Sequence, residues 1–225
     1  MNITGNPDSY KIYAKLAYAI AAKYGKNAVA DPQYFIKVPT TNPENEPIDT
    51  GLDLLSGFEY GNEVDRNWEG FTAYRLPQEQ AATLISVFDA HGGYVDGQSK
   101  NTYGVKNADS DFLVIPPGRA SVSNGYTFDM YNHILSYNTS NNIPFHALNY
   151  HIYCSNEQLN SFDRTATNIP KYAINMERAL DISEQNGYEV HKIIDFRNRF
   201  MPSKPIWITE FGYGEGGGRG SQSRY

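Results

Sequence analysis

The sequence predicts an α/β fold in which parallel strands alternate with helices. Two observations carry that expectation. Four short apolar runs alternate with segments whose apolar residues recur at helical spacing, giving the order α-β-α-β-α-β-α-β. One of these runs, Phe112–Ile115, is apolar throughout and is stopped by Pro116-Pro117-Gly118, the pattern of a strand covered on both faces.

The elements follow in order. Asn6 and Pro7 form a helix start signal, and Tyr13, Leu16, Ala17, Ile20 and Tyr24 recur at helical spacing until Gly25. A loop rich in Pro, Asn and Thr runs from about Pro39 to Thr50, and a strand from Gly57 to Asn62 closes on Glu63. A second helix follows Pro77, with Ala81, Leu84, Ile85 and Phe88 on one face and Gly92-Gly93 beyond it. After Phe112–Ile115, Thr127 is an N-cap candidate for a helix carrying Tyr131, Ile134 and Leu135. Pro144 precedes a strand from Phe145 to Tyr153. Two helices, Lys171 to Gln185 and Glu189 to Phe200, are split at Asn186-Gly187. A turn bracketed by Pro202 and Pro205 leads into a last strand, Ile206–Phe211, and residues 212–225 form a Gly-rich tail. No internal repeat and no inter-domain linker interrupts this order, so the chain reads as a single domain.

Composition excludes several classes. With 225 residues, 40% apolar and 20% charged, the chain has the make-up of one globular domain. A net charge of −6 without Lys/Arg clusters argues against nucleic acid as a partner. Cys154 is the lone cysteine, which excludes an internal disulfide and a Cys-based zinc site. No apolar run approaches the roughly 20 residues of a membrane span. Met1 to Tyr10 has neither a basic start nor an apolar stretch, so no signal peptide is expected in this chain. The aromatic share is 14%, led by 18 Tyr; a Tyr can stack on a sugar ring and hydrogen-bond at once, but composition alone favours half-buried core edges.

Three strand ends hold most of the polar residues with chemical potential, and strand ends are where parallel α/β proteins gather their reactive groups. The first is Asn62-Glu63, followed by Trp68; taken alone it also reads as a turn Asn and a solvated carboxylate. The second is Asn149-Tyr150-His151-Ile152-Tyr153, where alternation points Asn149, His151 and Tyr153 to one side. Three polar groups on one face favour a polar cleft, although His151 alone reads equally as a hydrogen-bonded core histidine. In the third, alternation puts Ile206, Ile208 and Glu210 on one side, so that a carboxylate ends an apolar interior row. That Glu could also be a cap or a salt-bridge partner. Together, Glu63 and Glu210 have the spacing of carboxylates facing each other across the mouth of a barrel, one to protonate a leaving oxygen and one to attack.

These motifs resemble the clan of retaining (β/α)₈ glycoside hydrolases that includes cellulases, xylosidases and β-galactosidases. In that clan an Asn-Glu pair ends the fourth strand, a His-x-Tyr motif lines the sixth and a nucleophilic Glu ends the seventh. Asn62-Glu63, His151-x-Tyr153 and Thr209-Glu210-Phe211-Gly212 match in order and approximate spacing. Gly104-Val105-Lys106-Asn107-Ala108-Asp109 is similar to bacterial polysaccharide-degrading members. The resemblance implies a partial TIM barrel covering about the third helix to the seventh strand, and therefore a fragment of a longer protein. It implies Glu63 as acid/base and Glu210 as nucleophile. Asn62, Trp68, Asn149 and His151 would contact or support a carbohydrate substrate, and Tyr153 would donate a hydrogen bond to Glu210. It also implies a β-linked poly- or oligosaccharide substrate, no cofactor and no metal, and a secreted or periplasmic full-length protein.

Alternatives are a non-catalytic carbohydrate-binding barrel or inactive remnant, and a barrel of unrelated chemistry. Glu59 and Glu215 are substitutes for Glu63 and Glu210 but lack the expected strand-end context. His146 and His151 differ by an odd number of positions and face opposite sides of one strand, which argues against a shared metal. The glycines of 215–220 lack the Lys-Ser/Thr and helix of a phosphate loop, and no Gly-x-Ser-x-Gly elbow is present.

Overall fold

The computed structural model describes residues 5–27, 50–68, 70, 72–93, 103–120, 124–137, 142–153 and 193–212. The expected helix Lys171 to Gln185, most of the Pro39–Thr50 loop, the start of the helix expected from Glu189, Cys154, Glu215 and the tail beyond Gly212 lie outside the described residues.

The first described element is a 3₁₀ turn, Pro7–Tyr10, whose cap is Asn6: its side-chain oxygen accepts from the Asp8 amide at 3.0 Å. Helix α1 (Lys11–Tyr24) continues from it and stops at Gly25, as the start and stop residues predict. Its buried face is made of Ala14, Ala17, Tyr18, Ala21 and Ala22, whereas Leu16 of the expected apolar set is exposed. Small side chains win that face because α1 lies close against its neighbour α2 (Pro77–Gly93). Pro77 sits at the first position of α2, and Glu79 reaches back to accept the Leu76 amide at 2.9 Å, which closes the helix start.

Helix α2 differs from its expected form. A single apolar face is predicted, yet every residue from Gln80 to Phe88 is buried. The 3₁₀ turn, α1, α3 (Val105–Ala108) and α4 (Asn124–Tyr137) all pack against it, which encloses this stretch on every side. Two of its polar residues are satisfied internally: the Thr83 hydroxyl donates to the Glu79 carbonyl at 2.8 Å, and the Ser86 hydroxyl donates to the Pro7 carbonyl. Regular helix geometry stops after Phe88, because Asp89 to Gly92 leave the helical backbone region, with positive φ from Ala90 onward. Thr127, expected as an N-cap, instead lies inside α4 and is buried; the helix begins one turn earlier. The single turn α3 has no counterpart in the expected order.

Among the described residues, four short strands complete the architecture: β1 (Gly57–Glu59), β2 (Leu113–Ile115), β3 (Leu148–Tyr153) and β4 (Ile206–Gly212). Helix α5 (Ile193–Phe200) precedes β4. β1 pairs with β2 and β3 with β4, both in parallel, as two separate two-stranded sheets. Two isolated parallel bridges, Asn62 to Gly118 and Arg119 to Tyr150, extend the parallel contacts beyond β1 and β2 and link the two pairs. The strands therefore lie side by side in sequence order, and all their C-terminal ends point the same way. This is a mixed helix and strand fold of α/β type, with β1 ending three residues earlier than expected.

One hydrophobic cluster joins the helices to the strands. Tyr18, Leu84, Phe112, Val114, Ile134, Phe145, Leu148, Tyr150, Ile193 and Phe196 are all buried in it, with Ile206 and Ile208 packed on its edge. No helix among the described residues is long and apolar enough to cross a membrane. Leu84 is fully buried at the centre of α2, where surrounding helices leave little room to collapse around a void. Leu84→Ala should lower the unfolding free energy by about 2–5 kcal/mol, measured as a reduced denaturant midpoint with an unchanged slope.

Candidate active site at the strand ends

Three carboxylates converge on one imidazole at the C-terminal ends of the strands. His151 on β3 is buried, with its side chain only 2% exposed. Its Nδ1 lies 2.9 Å from Glu63 Oε1 and 3.3 Å from Glu210 Oε2; its Nε2 lies 3.7 Å from Glu59 Oε1. One oxygen each of Glu63 and Glu210 and a ring nitrogen of His151 lie within 4.8 Å of one another. That trio has the reach of a metal-ligand set, with the His151–Glu63 contact at 2.9 Å already joining two of its members.

Each group arrives by a different structural device. Glu63 sits beyond β1 in a turn, where the Gly118 carbonyl accepts its amide at 3.0 Å and its own carbonyl accepts from Arg66 at 2.9 Å. Those bonds hold Glu63 at φ +40, in the left-handed region that non-glycine residues avoid. Such a backbone costs on the order of 1–3 kcal/mol and persists where surrounding bonds over-determine it. The Trp68 indole N–H donates to Glu63 Oε2 at 2.6 Å, so both carboxylate oxygens are engaged. Trp68 itself is 61% exposed, with the Arg66 guanidinium 5.8 Å from its ring centre.

Glu210 reaches the site through a β-bulge. Leu148, Asn149 and Tyr150 pair with Ile206, Trp207 and Ile208, but His151 pairs with Glu210, leaving Thr209 as the extra residue. Strict alternation predicts Ile206, Ile208 and Glu210 on one side. The structure corrects this. Ile206 and Ile208 pack on the hydrophobic cluster with Tyr150, and the bulge turns Glu210 to the opposite face, beside His151. Thr209 shares that face and donates to Asn149 Oδ1 at 3.0 Å. Asn149, buried, spends its amide on the Pro116 carbonyl at 3.1 Å, which makes it a brace between β2 and β4.

Of the residues expected at the site, Glu63, Glu210, His151 and Trp68 are thus in one connected group, with Asn149 beside it as the brace. Asn62 is exposed and forms the bridge to Gly118. Tyr153 ends β3 opposite Gly212, and its side chain lies outside the described part of the structure.

Sequence reasoning misses two residues of the group. Glu59 is expected to lack strand-end context, yet it is the last residue of β1, and its Oε1 accepts the Gly118 amide at 2.6 Å. Its four-residue spacing from Glu63 is the available signal. Gly118 is the second: a Cβ there would run into the His151 ring, so only glycine lets β3 bring the imidazole this close.

The charges set the ionisation of the group. Burial raises the Glu59 carboxyl, but the His151 ring, the Gly118 amide and the Thr209 hydroxyl outweigh it and hold its pKa below the usual value. Burial likewise pulls His151 down, yet the carboxylates of Glu59, Glu63 and Glu210 prevail and push it up to about 9. Comparison with protein-family models, with curated proteins and with solved structures finds no match.

A folded-state value of about 9, above the ordinary 6.5, means that the folded protein holds the ring proton more tightly than the unfolded chain does. That contribution to stability is complete below about pH 6.5 and is lost as pH rises through about 9. Urea unfolding across this window should show the native protein losing stability relative to His151→Asn; a constant difference would contradict the assignment. Gly118→Ala, which displaces the ring, should return the His151 titration midpoint towards 6.5, read by NMR.

Proposed function

We propose that the chain carries the catalytic centre of a retaining glycoside hydrolase acting on a β-linked poly- or oligosaccharide. The observation that carries this reading is the pair of carboxylates, Glu63 and Glu210, with oxygens within 4.8 Å of each other. Retaining glycosidases hold their two carboxyl groups about 5–5.5 Å apart, whereas inverting enzymes leave about 6.5–9.5 Å for a water molecule. The short separation favours double displacement.

Exposure divides the roles. The Glu210 side chain is 47% exposed at the end of β4, open to an incoming anomeric carbon, and acts as the nucleophile. The Glu63 side chain, 12% exposed, is gripped by Trp68 and His151 and acts as acid and then base. Glu210 forms a bond to the anomeric carbon while Glu63 gives its proton to the departing oxygen. Glu63 then takes a proton from water, which attacks the same carbon and frees Glu210. Exposed Trp68, beside Glu63, supplies an aromatic face on which a sugar ring can stack.

The fold supports the same reading. Four parallel strands adjacent in sequence order, packed against helices and carrying the polar group at their C-terminal ends, are what an arc of a (β/α)₈ barrel presents. We assign them as its fourth to seventh strands. A non-catalytic carbohydrate-binding role would need neither the close carboxylates nor the strained backbone at Glu63.

Glu210→Gln should abolish turnover of aryl β-glycosides while sugar binding, followed by calorimetry, persists. Glu63→Gln should slow hydrolysis about 10²–10⁴-fold for substrates whose leaving group needs protonation. Unchanged turnover in Glu210→Gln removes the nucleophile assignment, and a native protein inert on all aryl glycosides removes the hydrolase reading.

A further inference from the structure

Glu59 is neither the nucleophile nor the acid of the proposed reaction, yet it stands on the far side of His151 from Glu63. Its Oε1 lies 3.7 Å from Nε2, while Nδ1 on the other edge of the ring meets Glu63 Oε1 at 2.9 Å. The Gly118 amide anchors the same Glu59 oxygen at 2.6 Å, so the carboxylate is held in place rather than merely nearby. The hydrogens of an imidazole are located by the partners of its two nitrogens: carboxylates on both edges favour the doubly protonated ring, and Glu59, in ion-pair range at 3.7 Å, is the one that favours a hydrogen on Nε2.

Resting on the hydrolase reading above, we propose that Glu59 is a positioning residue for the acid step: it keeps the Nε2 hydrogen of His151 in place, so that Nδ1 and Glu63 Oε1 share one proton and together store the proton delivered to the leaving oxygen. In the resting pair, the proton passes from Nδ1 to Glu63 Oε1: the N–H bond breaks, its electron pair stays on nitrogen, and an O–H bond forms. Glu63 then gives that proton to the glycosidic oxygen as the bond from that oxygen to the anomeric carbon breaks towards oxygen. In the second half the attacking water returns a proton to Glu63, and thence to Nδ1. No other reactant is required.

The surroundings leave this role to Glu59. Among the described residues, charged groups face His151 from three places: Glu59 on β1, Glu63 in the turn after it, and Glu210 on β4. From the segment after β2, Gly118 offers no side chain, and the Arg119 guanidinium lies over the rings of Tyr126 and Tyr150. Glu63 and Glu210 both approach Nδ1. Glu59 is the acidic group of this set that faces Nε2, and its interaction with His151 is among the forces that raise the ring's proton affinity.

The test compares the native protein with Glu59→Gln and Glu59→Asp, using aryl β-glycosides with good leaving groups and alkyl glycosides with poor ones. Glu59→Gln should lower kcat on alkyl glycosides by about tenfold or more, with little change in KM. For activated aryl glycosides, which leave without a proton, kcat/KM, which reports the first step, should be nearly unaffected, and Glu59→Asp, which keeps the charge, should recover most of the loss on alkyl glycosides. The alkaline limb of the alkyl profile should move to lower pH. Independently of activity, ¹⁵N NMR of the native protein should show Nε2 protonated throughout the titration of His151, and the midpoint should fall by about one pH unit or more in Glu59→Gln.

An equal loss on both substrate types, or no loss, overturns the proposal, as does a native His151 that carries its neutral-state hydrogen on Nδ1. A native protein without glycosidase activity sinks the hydrolase reading, and the nitrogen titration still decides whether Glu59 controls the ring. If Glu59→Gln fails to fold, the tautomer of the native ring decides the same question without it.

Discussion

The site depends on one imidazole held among three carboxylates. A buried histidine ordinarily loses its charge, because water solvates the imidazolium better than protein does. His151 keeps its charge because Glu59, Glu63 and Glu210 surround it. The dependence is mutual: three acids this close would repel one another without a cation between them. The ring therefore acts as an electrostatic centre that lets β1, the turn after it and β4 present their acids at one place. Gly118 makes it possible by leaving the volume of the ring free.

The routes of Glu63 and Glu210 to that centre are local departures from regular structure. Glu210 arrives through the extra residue Thr209, and Glu63 through a left-handed backbone after β1. Both departures are held by specific bonds, Thr209 to Asn149 and Glu63 to Gly118. Bulges and strained residues concentrate where a side chain must be aimed against the preference of its element. Beneath them the packing is conventional. Helix α2, enclosed by its neighbours, joins the strands in a single apolar cluster, and this rigid base supports the irregular rim.

Asn149 links the two levels. It lies on β3 two residues before His151, bonded to the Pro116 carbonyl and the Thr209 hydroxyl. By tying the end of β2 to the bulge of β4, it fixes the separation between the strand that leads to Gly118 and the strand that carries Glu210. These two hydrogen bonds hold the frame around the acids.

Much of this protein was determined by sequence alone. Alternating helical and apolar runs, the Asn6-Pro7 start, the Pro77 start and the Pro-rich strand ends all act within a few residues, so periodicity and turn chemistry suffice to read them. The acids Glu63 and Glu210 and the ring of His151 were also legible, because polar groups at the ends of apolar strands stand out. Tertiary structure decided the rest. The bulge at Thr209 reverses the face of Glu210, since register belongs to two strands and cannot be read from one. Burial all round the middle of α2 depends on four neighbouring segments. Glu59 gained its place only when Gly118, far along the chain, supplied an amide for its oxygen and an open volume for the imidazole: close approach between distant residues is a property of the packed chain, and no local pattern encodes it.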